Sequence, residues 1–344
     1  MHRRYYLPVV SVVILLVFTK ASCHKSMPDT QLGNWVGAAA IPNFPRGDAS
    51  SFTIGDTAYV GLGLNESVGG MGRLNDFYSF NLKYGWTQLS NFPGAPRSNA
   101  VGFSLDNYGY FGTGFDGVTI YNDFYQYDPA ANRWNPKAPL PGEPRWDAVG
   151  FGLQHLGYIG TGFNVNSMND FYQYDPSHDS WARTPGTSGD FSKRRAAVSF
   201  VYNNQAYIVT GSNNGTMVTD FWSFDPSRQI PWKQLNAITN TSNGSFDDGY
   251  TDIKREYASV FINKNQVFLT TGKNGSLVLS TWVYDVVNDL WSRRTPYPKS
   301  GRYGSVAFTI SGQSFLGTGY NGNASFDDFV QFQPDQPYNA NSLN

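Results

Sequence analysis

The sequence is poor in cysteine, histidine and charged residues. Of its 344 residues, one is cysteine, four are histidine and 15% are charged, against about a quarter charged in typical soluble proteins. One cysteine cannot form an internal disulfide bond, a thiolate zinc site or an iron–sulfur cluster. The 25 basic and 26 acidic residues give a formal net charge of −1, which provides no positive surface for nucleic acid. We therefore expect no nucleic-acid partner and no metal or other cofactor.

The residues that are abundant instead favour turns and aromatic packing. The chain has 36 glycines and 19 prolines, and 16% of its residues are aromatic. A disordered chain is poor in aromatic residues, and a helical bundle does not tolerate this much glycine and proline. The composition therefore predicts a turn-rich all-β protein.

Residues 1–22 have the pattern of a secretory signal. Basic residues precede an apolar run over residues 7–18, and Ala21 and Ser22 come directly before Cys23. The run is too short to span a bilayer as a stable helix, so we expect a cleaved leader.

The only cysteine occupies a position that favours lipid attachment. Residues 19–23 resemble the processing box of bacterial lipoproteins, although Lys20 stands where that box usually has a leucine-like residue. The resemblance implies that Cys23 carries the lipid and that residues 23–33 form a tether. Residues 24–26 lack the aspartate that commonly retains lipoproteins at the inner membrane, which favours the outer membrane. Ordinary secretion and an uncleaved anchor are the alternatives.

One sequence unit of about fifty residues occurs six times. The general form of the unit is Arg-x-x-Ala-Val-x-Phe, then an apolar segment ending near Gly-Thr-Gly, then an aromatic block ending in Tyr-Asp-Pro, then a tryptophan followed by Leu-Pro, and the individual copies vary around this form. The repeated arginines are Arg46, Arg97, Arg145, Arg194, Arg255 and Arg302. Four short alternating segments per copy predict a four-stranded antiparallel sheet, and such sheets bury both faces by stacking around an axis. The sequence therefore predicts a six-bladed β-propeller.

The two ends of the chain predict how this ring closes. The sixth copy stops before its tryptophan-containing fourth strand, whereas residues 34–45 match that strand in the other copies. We expect this N-terminal strand to complete the last blade, because closure removes exposed sheet edges. The propeller then spans residues 34–334, residues 335–344 form a C-terminal tail, and no second domain fits.

The glycine doublet, the Tyr-Asp-Pro turn and the Trp…Leu-Pro tail resemble Kelch repeats, in particular those of bacterial envelope proteins often grouped with galactose oxidase. The resemblance covers nearly all of residues 31–334. It implies that the loop entering each innermost strand and the loop after each second strand open on the same face, around a central channel. Function remains open, because propellers serve as enzymes and as binding proteins.

The repeated arginines open the innermost strands and are therefore expected to ring this mouth. Guanidinium groups bind carboxylates and phosphates through charge-assisted hydrogen bonds. The candidate ligand-binding residues of this set are Arg46, Arg97, Arg145, Arg194 and Arg302. The alternative is a structural role, in which each arginine satisfies carbonyl and acidic groups of its own propeller.

Positions that differ between copies are stronger candidates, because packing demands repeat along the chain and ligand contacts do not. Trp146, Tyr257 and Tyr303 follow the arginines and offer flat apolar faces for a sugar ring, with Arg195 and Glu256 as polar anchors. The alternative is that these aromatic side chains only cap the channel.

The longest spacing between repeated arginines comes from an insertion near residues 236–254. It precedes an innermost strand and is expected to cross the mouth. Its aspartates, Asp247, Asp248 and Asp252, make a calcium site an alternative, but they lack the regular spacing of a calcium-binding loop.

Two enzymatic interpretations follow from the Kelch resemblance. Copper oxidase activity of the galactose oxidase type needs histidine ligands. Two of the four histidines lie in the leader and the tether, and His155 and His178 lie in predicted hairpin turns. We therefore do not expect copper oxidase activity. Bacterial Kelch propellers also include periplasmic sialic acid mutarotases, which interconvert sugar anomers. In that interpretation Glu256 is the candidate general base and Arg255 the candidate catalytic arginine.

The sequence-based expectation is a non-catalytic binding propeller on a bacterial envelope lipoprotein, monomeric and attached to the membrane only through its lipid. Its partner is expected to be a glycan or a protein bound at the loop face around the channel. The alternative is a carbohydrate mutarotase or epimerase of the sialic-acid type.

Overall fold

The computed structural model describes residue 2, residues 32–66, 72–184 and 191–240, residue 247 and residues 249–343. The expected leader, Cys23 and most of the expected tether lie outside these residues. The described strands form six antiparallel four-stranded sheets, which confirms the predicted six-bladed β-propeller. Among the described residues, no helix is long and apolar enough to cross a membrane.

Five blades each take their four strands in chain order, with the innermost strand first. The first is β2 (Ser50–Ile54), β3 (Thr57–Gly61), β4 (Phe77–Asn81) and β5 (Gly85–Gln88); the second is β6 (Val101–Leu105), β7 (Tyr108–Gly112), β8 (Phe124–Asp128) and β9 (Arg133–Lys137); the third is β10 (Val149–Leu153), β11 (Leu156–Gly160), β12 (Phe171–Asp175) and β13 (Ser180–Arg183).

The fourth and fifth blades also carry a short hairpin in the loop after their second strand. The fourth is β14 (Val198–Tyr202), β15 (Gln205–Val209), β18 (Trp222–Phe224) and β19 (Trp232–Gln234), with the hairpin β16 (Ser212–Asn213) and β17 (Thr216–Met217); the fifth is β20 (Ser259–Asn263), β21 (Gln266–Thr270), β24 (Thr281–Asp285) and β25 (Leu290–Arg294), with the hairpin β22 (Lys273–Asn274) and β23 (Ser276–Leu277).

The sixth blade joins the two ends of the chain. Its strands are β26 (Tyr303–Ile310), β27 (Gln313–Tyr320), β28 (Phe329–Pro337) and β1 (Leu32–Ala38). Strand β1 pairs antiparallel with β28, with Trp35 opposite Phe332. This pairing confirms the predicted closure of the ring by the N-terminal strand.

The ends of that blade differ from the sequence-based bounds. Strand β1 ends at Ala38 rather than near residue 45, and β28 continues into the expected tail as far as Pro337. A 3-10 helix follows at Ala340–Leu343, and the backbone N–H of Asn339 donates to Oδ1 of Asn34 at 2.9 Å. Much of the expected tail therefore packs on the last blade, because β1 supplies polar partners for it.

Large aromatic side chains fill the space between blades. Phe77 of the first blade contacts Phe111 and Trp134 of the second, with ring centroids 5.7 and 4.9 Å apart. The indole N–H of Trp134 also donates to the backbone carbonyl of Ser90, which follows the first blade, at 3.1 Å. The fourth-strand tryptophan therefore both packs between neighbouring blades and ties them together.

The second glycine of the Gly-Thr-Gly motif is present in all six copies, and the backbone conformation at this position explains why. Its φ lies between +91° and +104°, and a Cβ there would lie 2.7–2.9 Å from a carbonyl oxygen of the loop that enters the innermost strand. Only glycine adopts this conformation at such a close approach without strain. These glycines are Gly63, Gly114, Gly162, Gly211, Gly272 and Gly319.

The described part of the insertion packs against the fifth blade rather than across the mouth. Tyr250 and Ile253 are buried in a core cluster with Trp291, and the backbone N–H of Asn236 donates to a carboxylate oxygen of Asp289 at 2.6 Å. Residues 241–246 and Asp248 lie outside the described residues. The expectation of a crossing segment is corrected for the described part, because its apolar side chains join the blade's core.

Candidate functional site

The six repeated arginines lie inside the blades and not at the mouth. Their relative exposure is 0–1%. In each, Nε donates to the carbonyl two residues earlier at 3.0–3.3 Å, and Nη1 donates to the carbonyl sixteen residues later at 2.9–3.3 Å. Each guanidinium thus connects two backbone segments of its own blade.

Acidic or hydroxyl partners take up the remaining donors of these arginines. Five of them pair with an aspartate that precedes the third strand: Asp76, Asp123, Asp170, Asp220 and Asp328. Arg255 instead donates to Oγ of Ser280 at 2.7 Å and to the carbonyl of Asp252 at 2.6 Å, and burial lowers the pKa of Arg255 to about 10. The expected arginine ring at the mouth is therefore corrected, since these guanidinium groups are buried and each uses at least four of its five N–H donors within its own blade.

The mouth is instead closed around the axis by residues two positions after the arginines. These six residues, which we call the axial ring, are Asp48, Asn99, Asp147, Ala196, Tyr257 and Gly304. The backbone N–H of each donates to the carbonyl of the ring residue in the preceding blade at 2.8–3.2 Å, so six hydrogen bonds form a closed circle. All six have φ between +51° and +62°. The circle brings one residue from every blade to the axis.

Hydrogen bonds connect the polar side chains of the axial ring. The amide nitrogen of Asn99 donates to Oδ1 of Asp147 at 2.7 Å, and the hydroxyl of Tyr257 donates to Oδ2 of Asp147 at 2.6 Å. The side chains of Asn99 and Tyr320 act on the carboxyl group of Asp48 and lower its pKa, against the larger effect of burial. The arrangement links blades one, two, three, five and six through a buried polar network.

Burial changes the acidity of both ring aspartates. Loss of solvation, together with the nearby charge of Asp147, raises the pKa of Asp48 to about 7. Loss of solvation also raises the pKa of Asp147 to about 6, against the opposing effects of the Tyr257 hydroxyl and the Arg195 guanidinium. Groups with pKa values near neutrality both accept and release protons at physiological pH.

Two cationic side chains stand at the edge of this network. The guanidinium of Arg195 lies 4.9 Å from the ring centroids of both Trp146 and Phe163, and its Nη2 donates to the hydroxyl of Tyr257 at 3.3 Å. Its side chain is 26% exposed. Unlike the neighbouring Arg194, it is therefore open to a ligand.

The second cation is Lys273, which starts the hairpin of the fifth blade. Its Nζ lies 3.5 Å from Oε1 of Glu256 and 4.4 Å from the ring centroid of Tyr303. Ser212 donates its hydroxyl to Oε2 of Glu256 at 2.5 Å. Glu256 is thus held between a cation and a hydroxyl group on adjacent blades.

The structure brings together five of the predicted site residues: Trp146, Arg195, Glu256, Tyr257 and Tyr303. The prediction did not include Asp48, Asn99, Asp147, Lys273 or Tyr320 among the site residues. The sequence does mark the ring positions, since each lies two residues after a repeated arginine and the residue type there varies between copies. Their convergence required knowledge of the positive φ angles, which turn these residues toward the axis.

Cavities follow the axis at and below the axial ring. One of about 130 Å³ is lined by Asp48, Asn99, Asp147 and Tyr257 together with small residues. A larger one of about 300 Å³ lies between the innermost strands, among alanines, serines, valines and glycines. Within the described residues, no cluster of three or more histidine, cysteine or acidic side chains is arranged to hold a metal ion. The mouth thus places two partly exposed cations beside buried carboxyl groups whose pKa values are raised toward neutrality.

Comparison with known proteins gives matches of two kinds. No family model matches the chain. A segment of 126 residues is 34% identical to N-acetylneuraminate epimerase of Pasteurella multocida, and one of 130 residues is 28% identical to N-acetylneuraminate epimerase of Escherichia coli K12. These segments cover 34% and 36% of this chain and 31% of each relative. The chain thus spans about a third of the length of the curated relatives it matches.

The solved structure of YjhT matches over much more of the chain. The TM-score is 0.69 at 16% sequence identity, and the match covers 86% of this chain and 99% of YjhT. The two proteins share the propeller fold.

These similarities correct the expected function. The curated relatives are named as enzymes, so the prediction of a non-catalytic binding propeller is wrong, and the alternative of a sugar epimerase is favoured. The scarcity of histidine and cysteine argues against copper and thiol chemistry but not against an exchange of protons between carboxyl groups and a sugar.

Proposed function

We propose that this chain is an epimerase that interconverts the anomers of a carboxylated ring sugar, and that its repeats are of the Kelch type. The observation that carries the proposal is the segment 34% identical to a protein named N-acetylneuraminate epimerase. The substrate proposed for testing is accordingly N-acetylneuraminate, a sugar whose carboxylate is negatively charged at neutral pH.

The two accessible cations of the mouth support a carboxylated substrate. Arg195 presents a planar guanidinium that is suited to bidentate binding of a carboxylate. Lys273 adds a second positive charge, close to Tyr257 and Tyr303. Trp146 and the two tyrosines provide aromatic faces beside these charges. A sugar bound here has its ring near the axis, above Asp48 and Asp147.

Interconversion of anomers needs an acid and a base but no redox cofactor. A base takes the proton of the anomeric hydroxyl, the bond between the anomeric carbon and the ring oxygen breaks, and an acid protonates the ring oxygen. Rotation about the neighbouring carbon–carbon bond and ring closure in the reverse sense then give the other anomer. Carboxyl groups with pKa values near 6 and 7 are suited to both roles.

Proton NMR of freshly dissolved sugar tests this proposal directly. A form of the protein that starts at His24 is mixed with one crystalline anomer of N-acetylneuraminate, and the anomer signals are followed with time. We expect faster approach to the equilibrium ratio than in buffer, and little acceleration for glucose, which lacks the carboxylate. Equal rates with and without protein, for both sugars, would exclude the epimerase.

We further propose that the enzyme is an outer-membrane lipoprotein, on the sequence of residues 1–23 alone. Labelling of growing cells with radioactive palmitate tests this. The full-length protein is expected to incorporate the label, and the Cys23→Ser variant is expected not to. Absence of label in the full-length protein would contradict the proposal.

A further inference from the structure

We infer that Asp48 and Asp147 are the pair that exchanges protons with the sugar, and that Asn99 is the positioning residue between them. This inference rests on the proposed epimerase function and specifies which groups carry out its chemistry. It assigns the reaction to the axial ring rather than to the repeated arginines or to Glu256.

The backbone of the axial ring does not require these carboxyl groups. All six ring residues have nearly the same positive φ and the same type of backbone hydrogen bond. Aspartate and asparagine tolerate that conformation well, yet the fourth, fifth and sixth blades place Ala196, Tyr257 and Gly304 in it. The ring therefore forms with several side chains, and the grouping of Asp48 and Asp147 on one side calls for another reason.

Asn99 couples the two carboxyl groups through a single amide. One of its N–H bonds donates to Oδ1 of Asp147 at 2.7 Å, and the same side chain acts on Asp48 and lowers the pKa of that carboxyl group. Its amide oxygen accepts from the hydroxyl of Ser98 at 2.7 Å, which fixes the orientation of the amide. The charge of ionised Asp147 adds to the effect of burial in raising the pKa of Asp48, so simultaneous ionisation is disfavoured and one proton is retained by the pair.

The remaining contacts fix each carboxyl group in place. Tyr257 donates to the second oxygen of Asp147, and Tyr320 acts on Asp48 and favours the ionised form of its carboxyl group. At position 304, a Cβ would lie 2.1 Å from Oδ1 of Asp48. Glycine in the sixth copy thus leaves space for the Asp48 carboxyl group.

Charged groups around the pair allow one acid and one base. Nε of Arg195 lies 3.7 Å from Oδ2 of Asp147 and favours the ionised form of that group, whereas the charge of Glu256 opposes its ionisation. The charge of Lys273 lowers the pKa of Asp48. Glu256 itself is engaged by Lys273 and Ser212, so we assign it to substrate binding. Asp147 is accordingly the base and Asp48 the acid.

Both carboxyl groups return to their starting protonation states after one interconversion of the anomers. Ionised Asp147 takes the proton of the anomeric hydroxyl while protonated Asp48 gives its proton to the ring oxygen, and the open-chain carbonyl compound forms. After rotation, Asp48 takes that proton back as the ring closes, and Asp147 returns its proton to the new anomeric hydroxyl. Neither group is changed at the end, and no oxidant or reductant is needed.

The first experiment compares substitutions that differ by one functional group. Asp48→Asn and Asp147→Asn keep the shape and the tolerance for positive φ but cannot exchange a proton. We expect kcat for anomer interconversion to fall about 100-fold or more in each, with KM nearly unchanged. Glu256→Gln is expected to raise KM more than it lowers kcat. Retention of wild-type kcat by both aspartate variants would overturn the inference.

A pH profile distinguishes proton exchange from a structural effect. Because one carboxyl group must be ionised and the other protonated, log kcat of the wild type is expected to rise and fall around pH 6–7. Asn99→Ala removes the shared amide and is expected to move both limbs of the profile, which a purely structural role would not do. A flat profile between pH 5 and 8 for an active wild type would overturn the pair.

Gly304→Ala tests the geometry without touching either carboxyl group. It is expected to displace Asp48 and to lower kcat, whereas Gly55→Ala, at a positive-φ glycine with no atom within 4 Å of the added Cβ, is expected to leave kcat unchanged. Equal kcat in both glycine variants and the wild type would contradict the assigned position of Asp48. If the wild type itself does not accelerate the reaction, the proposed function fails; if it does and the substitutions have no effect, only the pair fails.

Discussion

Two adjacent arginines of the fourth blade show how differently this propeller uses one residue type. Arg194 is fully buried and donates to the backbone carbonyl of Thr210 and to Asp220. Arg195 is partly exposed, lies between Trp146 and an adjacent phenylalanine ring, and reaches the axial ring. Arg194 belongs to the repeated pattern and Arg195 does not.

The same contrast holds around the whole axis. The repeated arginine supports each blade in the same way, whereas the residues directly after it vary and form the mouth. Repetition along the chain therefore marks positions that hold the fold, and variation at a structurally equivalent position marks the candidate site. Substitutions at the repeated positions are therefore expected to change stability, and substitutions at the variable positions are expected to change activity.

The largest expected effect is the loss of a repeated arginine. Arg97→Ala leaves Asp123 and the carbonyl of Thr113 without their donor, and we expect a decrease of about 3–5 kcal/mol in the free energy of unfolding. Arg133→Ala, at an exposed position of β9, is the control and should change stability by less than about 0.5 kcal/mol. Urea unfolding measures both, and equal values would contradict the structural role of the repeated arginines.

A smaller loss of stability is expected at the second glycine of the motif. In Gly162→Ala the new Cβ would lie 2.9 Å from both the carbonyl oxygen of Trp146 and the Cβ of Ala148, at a φ of +93°. Gly215→Ala has a similar φ of +82° but no atom within 4 Å. We expect the first to be less stable than the second by about 1–3 kcal/mol in thermal or urea unfolding. Equal stability of the two variants would contradict this expectation and show that the positive φ alone determines the cost.

Arg195→Gln tests the variable positions that form the mouth. It removes a charged donor from the mouth while leaving Arg194 and its aspartate intact, so we expect kcat/KM for N-acetylneuraminate to fall about 10- to 100-fold. Stability should change by less than about 1 kcal/mol. The NMR anomer assay and urea unfolding give the two values. A loss of stability as large as that of Arg97→Ala would place Arg195 with the structural arginines.

The smallest expected effect is the pH dependence of stability due to Asp48. Its pKa is about 7 in the folded protein and ordinarily 3.8, so the folded protein retains a proton that the unfolded chain releases between these values. Stability therefore falls as the pH rises from about 4 to about 7. Asp48→Asn cannot ionise and is expected to reduce the loss between pH 5 and pH 8 by on the order of 1–2 kcal/mol.

Urea unfolding at both pH values measures this effect, with Asp56→Asn in the exposed turn between β2 and β3 as the control. An unchanged pH dependence in Asp48→Asn would show that the carboxyl group is not destabilised by burial.

Much of the fold could be predicted because it repeats. Six copies of one unit, each too small to bury both faces of its sheet, predict a ring of blades, and the displaced fourth strand predicts the closure between β1 and β28. The expected length of β1 was less accurate, since the residues after Ala38 continue as loop. Sequence similarity between copies locates equivalent positions but not the residue at which a strand ends.

For the site, the sequence by itself determined which positions repeat and which vary, and thereby pointed to Trp146, Arg195, Glu256, Tyr257 and Tyr303. Only the tertiary structure decided that the repeated arginines turn into the blades while the residues two positions later meet at the axis. The physical reason is that burial of each guanidinium depends on carbonyl and carboxylate partners up to thirty residues away, and the axial ring depends on hydrogen bonds between different blades. Contacts of that kind exist only after the six units have closed into a ring.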